Sequence, residues 1–193
     1  MLIMGKQNSE KIRLIALTGL FAALIAVVTS FIRIPAAHNG YTHAGDSMIY
    51  LASCILPAPY AVASAAIGGF FADILAGAPE WAFATAIIKV INTLPFIACR
   101  YFLKKYNKDD RILHYANIAM LIPSSLVTII GYFIAEGIMF GFEASLVSAF
   151  IGGWLQPLAG AVVYLAIGAS LDGVKFKSRI YPRLMSGGVK KTA

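Results

Sequence analysis

The chain has few charged residues for its length. Lys, Arg, Asp and Glu make up 13% of its 193 residues, whereas soluble domains carry about 25%. The mean hydropathy is +0.76, and several apolar runs reach the length of about 20 residues that a helix needs to cross a bilayer. This composition excludes an ordinary soluble domain. We expect an all-α integral membrane protein with a single membrane domain over residues 1–193.

Sequence motifs for catalysis, metal binding and nucleotide binding are missing. Only two cysteines occur, Cys54 and Cys99, and both lie in apolar runs where cysteine behaves as a small hydrophobic residue. His38 and His43 have no third His or Cys at ligand spacing. The sequence contains no G-x-x-x-x-G-K-[ST], G-x-S-x-G or H-E-x-x-H motif. We therefore expect no cofactor, no metal site and no enzymatic activity.

Apolar runs and breaks between them predict six transmembrane helices. The second is too short to cross the bilayer upright by itself. Residues 138–147 are predicted to form a loop. The predicted helices span about residues 11–32, 46–56, 60–75, 81–102, 115–137 and 148–171.

The basic residues are strongly asymmetric. With the N-terminus inside, fourteen of the 16 Lys and Arg residues fall in inner segments, while Lys89 lies within a helix and Arg33 lies outside. The positive-inside rule then predicts that both termini are cytoplasmic, in a multi-pass protein of the cell membrane. Topology and anionic lipid account for the net charge of +7, so we expect no nucleic-acid partner.

The fourth helix carries one polar stripe on an otherwise apolar surface. Trp81, Thr85, Lys89 and Asn92 follow i, i+4, i+8, i+11 spacing and share a face. Lys89 lies about 12 Å below Trp81 along the helix, where a charge costs roughly 2.5–3.5 kcal/mol. We expect this amine to face a protein-lined cavity or a partner carboxylate. A lysine that only helps helices to pack, or that reaches the surface, is the alternative.

Other polar and aromatic groups are predicted to gather in the same outer half, and together they indicate a small-molecule pocket. Single members have simpler explanations: Trp81 and Tyr41 suit an interfacial aromatic belt, Asp46 suits a helix cap, and Asn92 and Gln156 suit interhelical hydrogen bonds. The first loop also brings His38 and Asn39. The predicted substrate-binding residues are Lys89, Asn92, Thr85, Trp81, Tyr41, His43, Asp46, Glu136, Tyr132, Gln156 and Trp154.

Two sequence blocks resemble the substrate-capture (S) components of energy-coupling factor (ECF) vitamin transporters. The blocks are NGYTHAGDSMIYLA at 39–52 and IGGFFADILAGAPEWAFATAIIKVINTL at 67–94, with a looser match at WLQPLAG, 154–160. Within that family the chain looks closest to the hydroxymethylpyrimidine or pyridoxine branch. The resemblance implies six helices, cytoplasmic termini and an outer pocket lidded by the first loop.

The resemblance also implies a function and partners. The chain would capture a small heteroaromatic water-soluble vitamin or precursor from outside, with uptake driven by a transmembrane coupling subunit and two ATPase subunits. The family's small-residue motif that contacts the coupling subunit falls on Gly19 and Ala23. A stand-alone secondary carrier of a small solute, with Lys89 and Glu136 as an ion-coupled pair, is the alternative. Such carriers usually contain inverted repeats, and we find no convincing internal repeat.

Overall fold

The structure is a computed structural model and describes residues 2–35 and 41–179. A hairpin of two short strands, β1 (Arg33–Pro35) and β2 (Tyr41–His43), follows the first helix, with Ile34 opposite Thr42. A 3₁₀ turn, Pro79–Trp81, precedes α4. The helices are α1 (Leu2–Phe31), α2 (Asp46–Ile55), α3 (Ala58–Ala76), α4 (Ala82–Lys105), α5 (Tyr115–Ala119), α6 (Leu121–Phe140), α7 (Phe142–Ile151) and α8 (Leu155–Gly173).

Five helical stretches are long and apolar enough to cross a membrane, which confirms an all-α membrane protein. Their outward faces carry exposed Ile, Leu and Phe side chains, as lipid contact requires. The number of crossings and the side on which the termini lie stay predictions. The five stretches are Asn8–Phe31, Ala58–Ala76, Pro79–Lys105, Tyr115–Phe140 and Leu155–Gly173.

Helix α2 lies at the centre of the bundle. All ten of its residues are buried, and its length of about 15 Å is half the thickness of a hydrocarbon core. Tyr50 stacks on Phe96 of α4 with ring centres 4.9 Å apart, and the edge of Tyr164 from α8 meets it at 5.8 Å. The short helix predicted at 46–56 is therefore an internal element surrounded by longer helices.

Helices α1 and α3 pack closely through small residues. A Cβ added to Gly68 would come within 2.7 Å of the Ala22 carbonyl oxygen and of Ile25 Cβ. Ser30 donates to the Ala72 carbonyl at 3.0 Å across the same interface. A glycine at position 68 thus lets the two backbones approach closely. In lipid the hydrophobic effect does not drive helices together, so this close van der Waals packing stabilises the pair instead.

The sixth predicted helix is wrong in its boundaries. Residues 148–171 are not one helix, because α7 ends at Ile151 and α8 begins at Leu155. The predicted loop at 138–147 is largely helical, since it covers the end of α6 and the start of α7. The bend falls at a glycine pair, where a Cβ on Gly153 would lie 2.8 Å from the Ala149 carbonyl oxygen. Helix α1 also begins earlier than the predicted residue 11.

A polar cluster stabilises the end of the bundle at which α2 ends. The Arg100 guanidinium donates to the Ser53 and Ile55 carbonyls at 3.1 Å each, at the C-terminal end of α2. Asp109 accepts from Arg100 at 3.1 Å and from Lys177 at 2.5 Å. A cation at a helix C-terminus is favourable because unpaired carbonyls concentrate negative charge there. This cluster fixes α2, and with it the residues at its other end.

Candidate functional site

A cavity of about 350 Å³ opens at the end of the bundle where α3 and α6 end and α4 and α8 begin. This volume lies near the lower bound of the range of about 300–1,000 Å³ found for small-molecule sites. Its apolar lining residues are Ile34, Pro35, Trp81, Ile129, Phe133, Val147, Ala149, Gly152, Gly153 and Leu155. Its other lining residues are Tyr41, Thr42, His43, Asp73, Thr85, Thr128, Tyr132, Glu136, Ser148 and Gln156.

The β-hairpin forms one side of the cavity and is tied to the end of α3. The Tyr41 hydroxyl donates to Asp73 Oδ1 at 2.5 Å. Arg33 lies 5.0 Å from the centre of the Tyr41 ring and donates to the Ala76 carbonyl at 2.9 Å. Burial, and next the neighbouring Asp73, raise the pKa of Tyr41 well above its usual value. The hydroxyl therefore stays protonated and remains a donor.

Aromatic rings form a second side of the cavity. The Trp81 ring centre lies 6.1 Å from that of Tyr132 and 5.7 Å from that of Phe140. The Tyr132 hydroxyl and Thr85 Oγ1 are hydrogen-bonded at 3.2 Å. Trp81 and Tyr132 both line the cavity, so a flat aromatic ligand would meet π surfaces that stack on it.

A buried ion pair lies beneath the cavity. Lys89 Nζ donates to Asp46 Oδ1 at 2.5 Å, and both side chains are fully buried. Asp46 Oδ2 accepts from Gln156 Nε2 at 3.1 Å and from Thr128 Oγ1 at 3.3 Å. The amine also lies 5.0 Å from the centre of the Tyr132 ring. Gln156, Thr128 and Tyr132 line the cavity whereas the ion pair does not, so the pair supports the cavity wall from behind.

Two glycines make room for this ion pair. A Cβ on Gly69 of α3 would lie 3.0 Å from Lys89 Cγ, and one on Gly160 of α8 would lie 3.1 Å from Asp46 Cβ. Asn92, one turn further along α4, donates to Thr128 Oγ1 at 3.1 Å. The polar stripe of α4 therefore runs from the cavity into the core, where its deeper members bind protein groups.

His43 contributes an uncharged ring to the wall. Only 3% of its surface is exposed, and its Nδ1 accepts the Gly45 backbone N–H at 3.1 Å. Burial, and next the nearby Lys89 charge, lower the pKa of His43 to about 3. The imidazole is therefore neutral at physiological pH.

The far wall is closed by α7. Glu136 of α6 accepts from the Ser148 hydroxyl at 2.8 Å, and Ser145 donates to the Phe133 carbonyl at 2.6 Å. These bonds tie the short helix to the end of α6 and place the Glu136 carboxylate on the cavity wall. A segment predicted to be a loop thus supplies part of the site.

Seven of the eleven predicted substrate-binding residues line the cavity: Trp81, Thr85, Tyr41, His43, Tyr132, Glu136 and Gln156. Their contact with a substrate stays a prediction.

The other four predicted residues do not line the cavity. Lys89 and Asp46 bind each other, and Asn92 binds Thr128. Trp154 is 51% exposed at the bend before α8, because the break in the sixth helix turns it away. The alternative prediction that Asp46 caps its helix is also wrong, since no side chain caps the start of α2. His38 and Asn39 lie outside the described residues.

Four polar residues of the wall were missed from the sequence: Thr42, Asp73, Thr128 and Ser148. Asp73 lies near the end of the apolar helix α3. An acid within an apolar helix is costly enough to indicate a functional position, so that signal was available. Thr128 and Ser148 gave no comparable signal, because hydroxyls are common in membrane helices. Thr42 lies in a hairpin strand and gave no signal of its own either.

The small residues of α1 face two directions. Ala22 and Ala26 are buried, whereas Gly19 and Ala23 are exposed. Within the described part of the chain, no heavy atom outside its own helix lies within 4 Å of a Cβ added to Gly19. The predicted partner-contact residues therefore lie on an open face of the helix, where a second membrane protein could approach closely.

Among residues 2–35 and 41–179, no three His, Cys, Asp or Glu side chains are grouped so that they could hold a metal ion. Cys54 and Cys99 are both buried free cysteines.

Comparison with known proteins relates the chain to one family. The family model described as "ECF-type riboflavin transporter, S component" matches residues 9–172. That range covers α1 from Ser9 onward, all of α2 to α7, and α8 except its last residue. No curated protein gave a significant match.

Proposed function

Because the chain belongs to the family of S components of ECF-type riboflavin transporters, we propose that it captures riboflavin at the outer face of the cell membrane. S components are substrate-binding transporter subunits and not enzymes. Uptake then depends on a transmembrane coupling subunit and two ATPase subunits. The observation that carries the proposal is the cavity, where aromatic rings and hydrogen-bonding groups surround about 350 Å³.

The size and lining of the cavity support a multi-ring ligand. Riboflavin has a flat three-ring system and a polyhydroxylated side chain. Trp81 and Tyr132 offer ring faces, while Thr85, Gln156 and Glu136 offer hydrogen-bonding atoms. A single-ring ligand such as pyridoxine would leave part of this space unfilled. Gln156 donates to Asp46 through Nε2, which leaves the amide oxygen as the end that can accept from a ligand.

A single-ring vitamin is the second candidate. The blocks at 39–52 and 67–94 resemble the branch for hydroxymethylpyrimidine or pyridoxine. Both candidates are neutral heteroaromatic compounds with hydroxyl groups, so the same aromatic and polar wall would serve either. Riboflavin takes precedence because the family description names it.

We assign Lys89 a positioning role in this proposal. Its amine is paired with Asp46, and Asp46 in turn holds Gln156 and Thr128. An ion pair at this depth keeps two cavity residues in fixed rotamers, as a preorganised site requires. The ligand would meet Gln156 and Thr128 and not the amine itself.

The orientation of the cavity follows from the positive-inside rule. Arg100, Lys104, Lys105 and Lys177 lie at the end of the bundle opposite to the cavity. That end faces the cytoplasm, so the cavity opens outward. The exposed face of α1 with Gly19 and Ala23 is then free to contact the coupling subunit.

Ligand binding to the purified chain tests the proposal. Riboflavin is expected to raise the thermal unfolding temperature in detergent through mass action, and to bind at one molecule per chain. Trp81→Ala should weaken binding at least tenfold because it removes a stacking surface. Trp154→Ala is the matched control and should bind like the wild type, since Trp154 lies outside the wall. Pyridoxine and hydroxymethylpyrimidine are titrated in parallel. A protein that binds none of the three compounds contradicts the proposal.

Liposomes separate this proposal from a stand-alone carrier. Vesicles that contain only this chain should not accumulate riboflavin. Vesicles that also contain the coupling and ATPase subunits should accumulate it when ATP is supplied. Accumulation by the chain alone, driven by an ion gradient, would support a secondary carrier instead.

A further inference from the structure

The side-chain amide of Gln156 is oriented by buried polar groups beneath the cavity. Gln156 Nε2 donates to Asp46 Oδ2 at 3.1 Å. Lys89 donates to the other oxygen of the same carboxylate at 2.5 Å. A carboxylate paired with an ammonium group is ionised and only accepts hydrogen bonds. The amide nitrogen of Gln156, and not its oxygen, therefore faces Asp46.

Thr128 reinforces this orientation. Its hydroxyl donates to the same Asp46 oxygen at 3.3 Å and accepts from Asn92 Nδ2 at 3.1 Å. A reversed Gln156 amide would place its oxygen against the carboxylate oxygen, where both atoms are acceptors. Such a contact is unfavourable in a site that water does not reach. The network thus determines which end of the Gln156 amide is turned away from Asp46.

The remaining polar groups of the Gln156 amide are available to a ligand. Gln156 lines the cavity. Within residues 2–35 and 41–179, the bond to Asp46 is the only hydrogen bond of this side chain. Its oxygen is not one of the enclosed side-chain atoms that lack a partner there, so the oxygen is open to the cavity. The nitrogen carries a second hydrogen. The amide thus offers an acceptor and a donor on one planar group.

We propose that the Gln156 amide pairs with a ring edge of the ligand on which an N–H donor lies beside an acceptor atom. This inference rests on the proposed function and adds a specificity-determining residue to it. A carboxamide binds such an edge through two parallel hydrogen bonds, as Asn and Gln do with adenine. The buried ion pair keeps the amide in the orientation that this pairing needs, as a preorganised site requires.

The pairing separates the candidate ligands by their chemistry. Riboflavin carries a ring N–H between two carbonyl groups, and hydroxymethylpyrimidine carries an amino group beside a ring nitrogen. Both compounds therefore present a donor next to an acceptor. Pyridoxine has no N–H beside a carbonyl group or a second ring nitrogen. A site built to bond an N–H group rejects an analogue without it, because the protein acceptor is then left unpaired.

The test compares riboflavin with N3-methylriboflavin, in which a methyl group replaces the hydrogen of the ring N–H. Both compounds are titrated against wild type, Gln156→Met and Leu158→Met. Methionine preserves the length of the glutamine side chain but has no N–H donor. Leu158→Met is the matched control, because it places the same side chain on α8 at a position that is 53% exposed and does not line the cavity. Affinities come from flavin fluorescence quenching, and thermal unfolding without ligand checks folding.

Wild type should bind riboflavin at least about 30-fold more tightly than N3-methylriboflavin. Gln156→Met should lower the riboflavin affinity about tenfold, and its affinities for the two flavins should lie within about fivefold of each other. Leu158→Met should behave like wild type in both respects.

A measurement on wild type keeps the test independent of the folding of Gln156→Met. The chain contains only two glutamines, Gln7 and Gln156, so selective ¹⁵N labelling of glutamine gives few side-chain amide signals in NMR. The Gln156 amide should show a nuclear Overhauser contact with the N3 proton of bound riboflavin. A glutamine that only supports the wall would show no such contact.

Equal wild-type affinity for the two flavins would overturn the inference. So would a folded Gln156→Met that keeps the wild-type ratio of affinities or, where that variant does not fold, the absence of the Overhauser contact in wild type saturated with riboflavin. If wild type binds hydroxymethylpyrimidine instead, its dimethylamino analogue replaces N3-methylriboflavin and the N–H protons of its amino group replace the N3 proton. Tightest binding of pyridoxine also overturns only this inference. A wild type that binds none of the three compounds overturns the proposed function together with it.

Discussion

Replacing Lys89 by methionine should strongly lower the free energy of unfolding. It should not directly remove any side chain that lines the cavity. Methionine matches the length of the lysine stem but has no charge. Asp46 then remains fully buried with only its bonds from Gln156 and Thr128. Both side chains of the pair are 0% exposed, so water cannot replace the missing amine.

The expected loss can be worked out from this geometry. Removing one member of a buried ion pair typically costs about 3–5 kcal/mol, because the remaining charge has no compensation. The two remaining hydrogen bonds contribute about 1 kcal/mol each in both proteins, so they offset little. Asp46→Asn should cost a similar amount, since it leaves the ammonium alone. The double variant Lys89→Met/Asp46→Asn removes both charges and should be clearly more stable than either single variant.

Denaturant unfolding in detergent micelles measures all four proteins. The double-mutant cycle should give a coupling energy of at least about 2 kcal/mol. Riboflavin binding to the double variant should stay within a few-fold of wild type, provided that Gln156 keeps its position. The reasoning is refuted if Lys89→Met unfolds like wild type yet loses riboflavin binding, because the amine would then contact the ligand and not Asp46.

Three further changes probe other parts of the structure. Gly153→Ala should lower riboflavin affinity about tenfold, because its Cβ would press on the Ala149 carbonyl and shift the α7–α8 bend. Gly173→Ala, at the far end of α8 with open space around it and away from the cavity wall, should bind normally. Arg100→Met should lower the free energy of unfolding by about 3 kcal/mol, since it leaves carbonyls at the end of α2 without a donor. The control Lys105→Met, at an exposed lysine, should change the free energy of unfolding by less than about 0.5 kcal/mol. The pKa of His43 is about 3 in the folded protein and about 6.5 in the unfolded chain, so the thermal unfolding temperature should fall as the pH drops from 6.5 toward 3. The His43→Gln variant should show a flatter dependence on pH. Equal pH profiles for the two proteins would contradict a buried neutral ring.

The depth of Lys89 could be predicted from the sequence, but its partner could not. Helical spacing and the cost of a charge in lipid predict that the amine meets a carboxylate or a cavity. In the structure Lys89 meets Asp46, 43 positions earlier, with the cavity next to the pair. Spacing along one helix does not determine which of the chain's acids lies opposite, because that depends on how α2 is buried between the longer helices.

The break in the sixth helix shows a different limit. Gly152 and Gly153 were visible in the sequence, but glycine is frequent in membrane helices and does not by itself predict a break. The close contact between position 153 and the Ala149 carbonyl arises where α7 ends, and the sequence does not specify that end. Because the bend was missed, Trp154 was placed in the site and Ser148 was not.

The most direct test of a capture site follows the fluorescence of Trp81 in a Trp154→Phe protein. The chain has only two tryptophans, so Trp81, on the cavity wall, is then the sole reporter. The account predicts that riboflavin quenches its emission saturably at one molecule per chain and is recovered chemically unchanged. No saturable change with riboflavin, pyridoxine or hydroxymethylpyrimidine would contradict it.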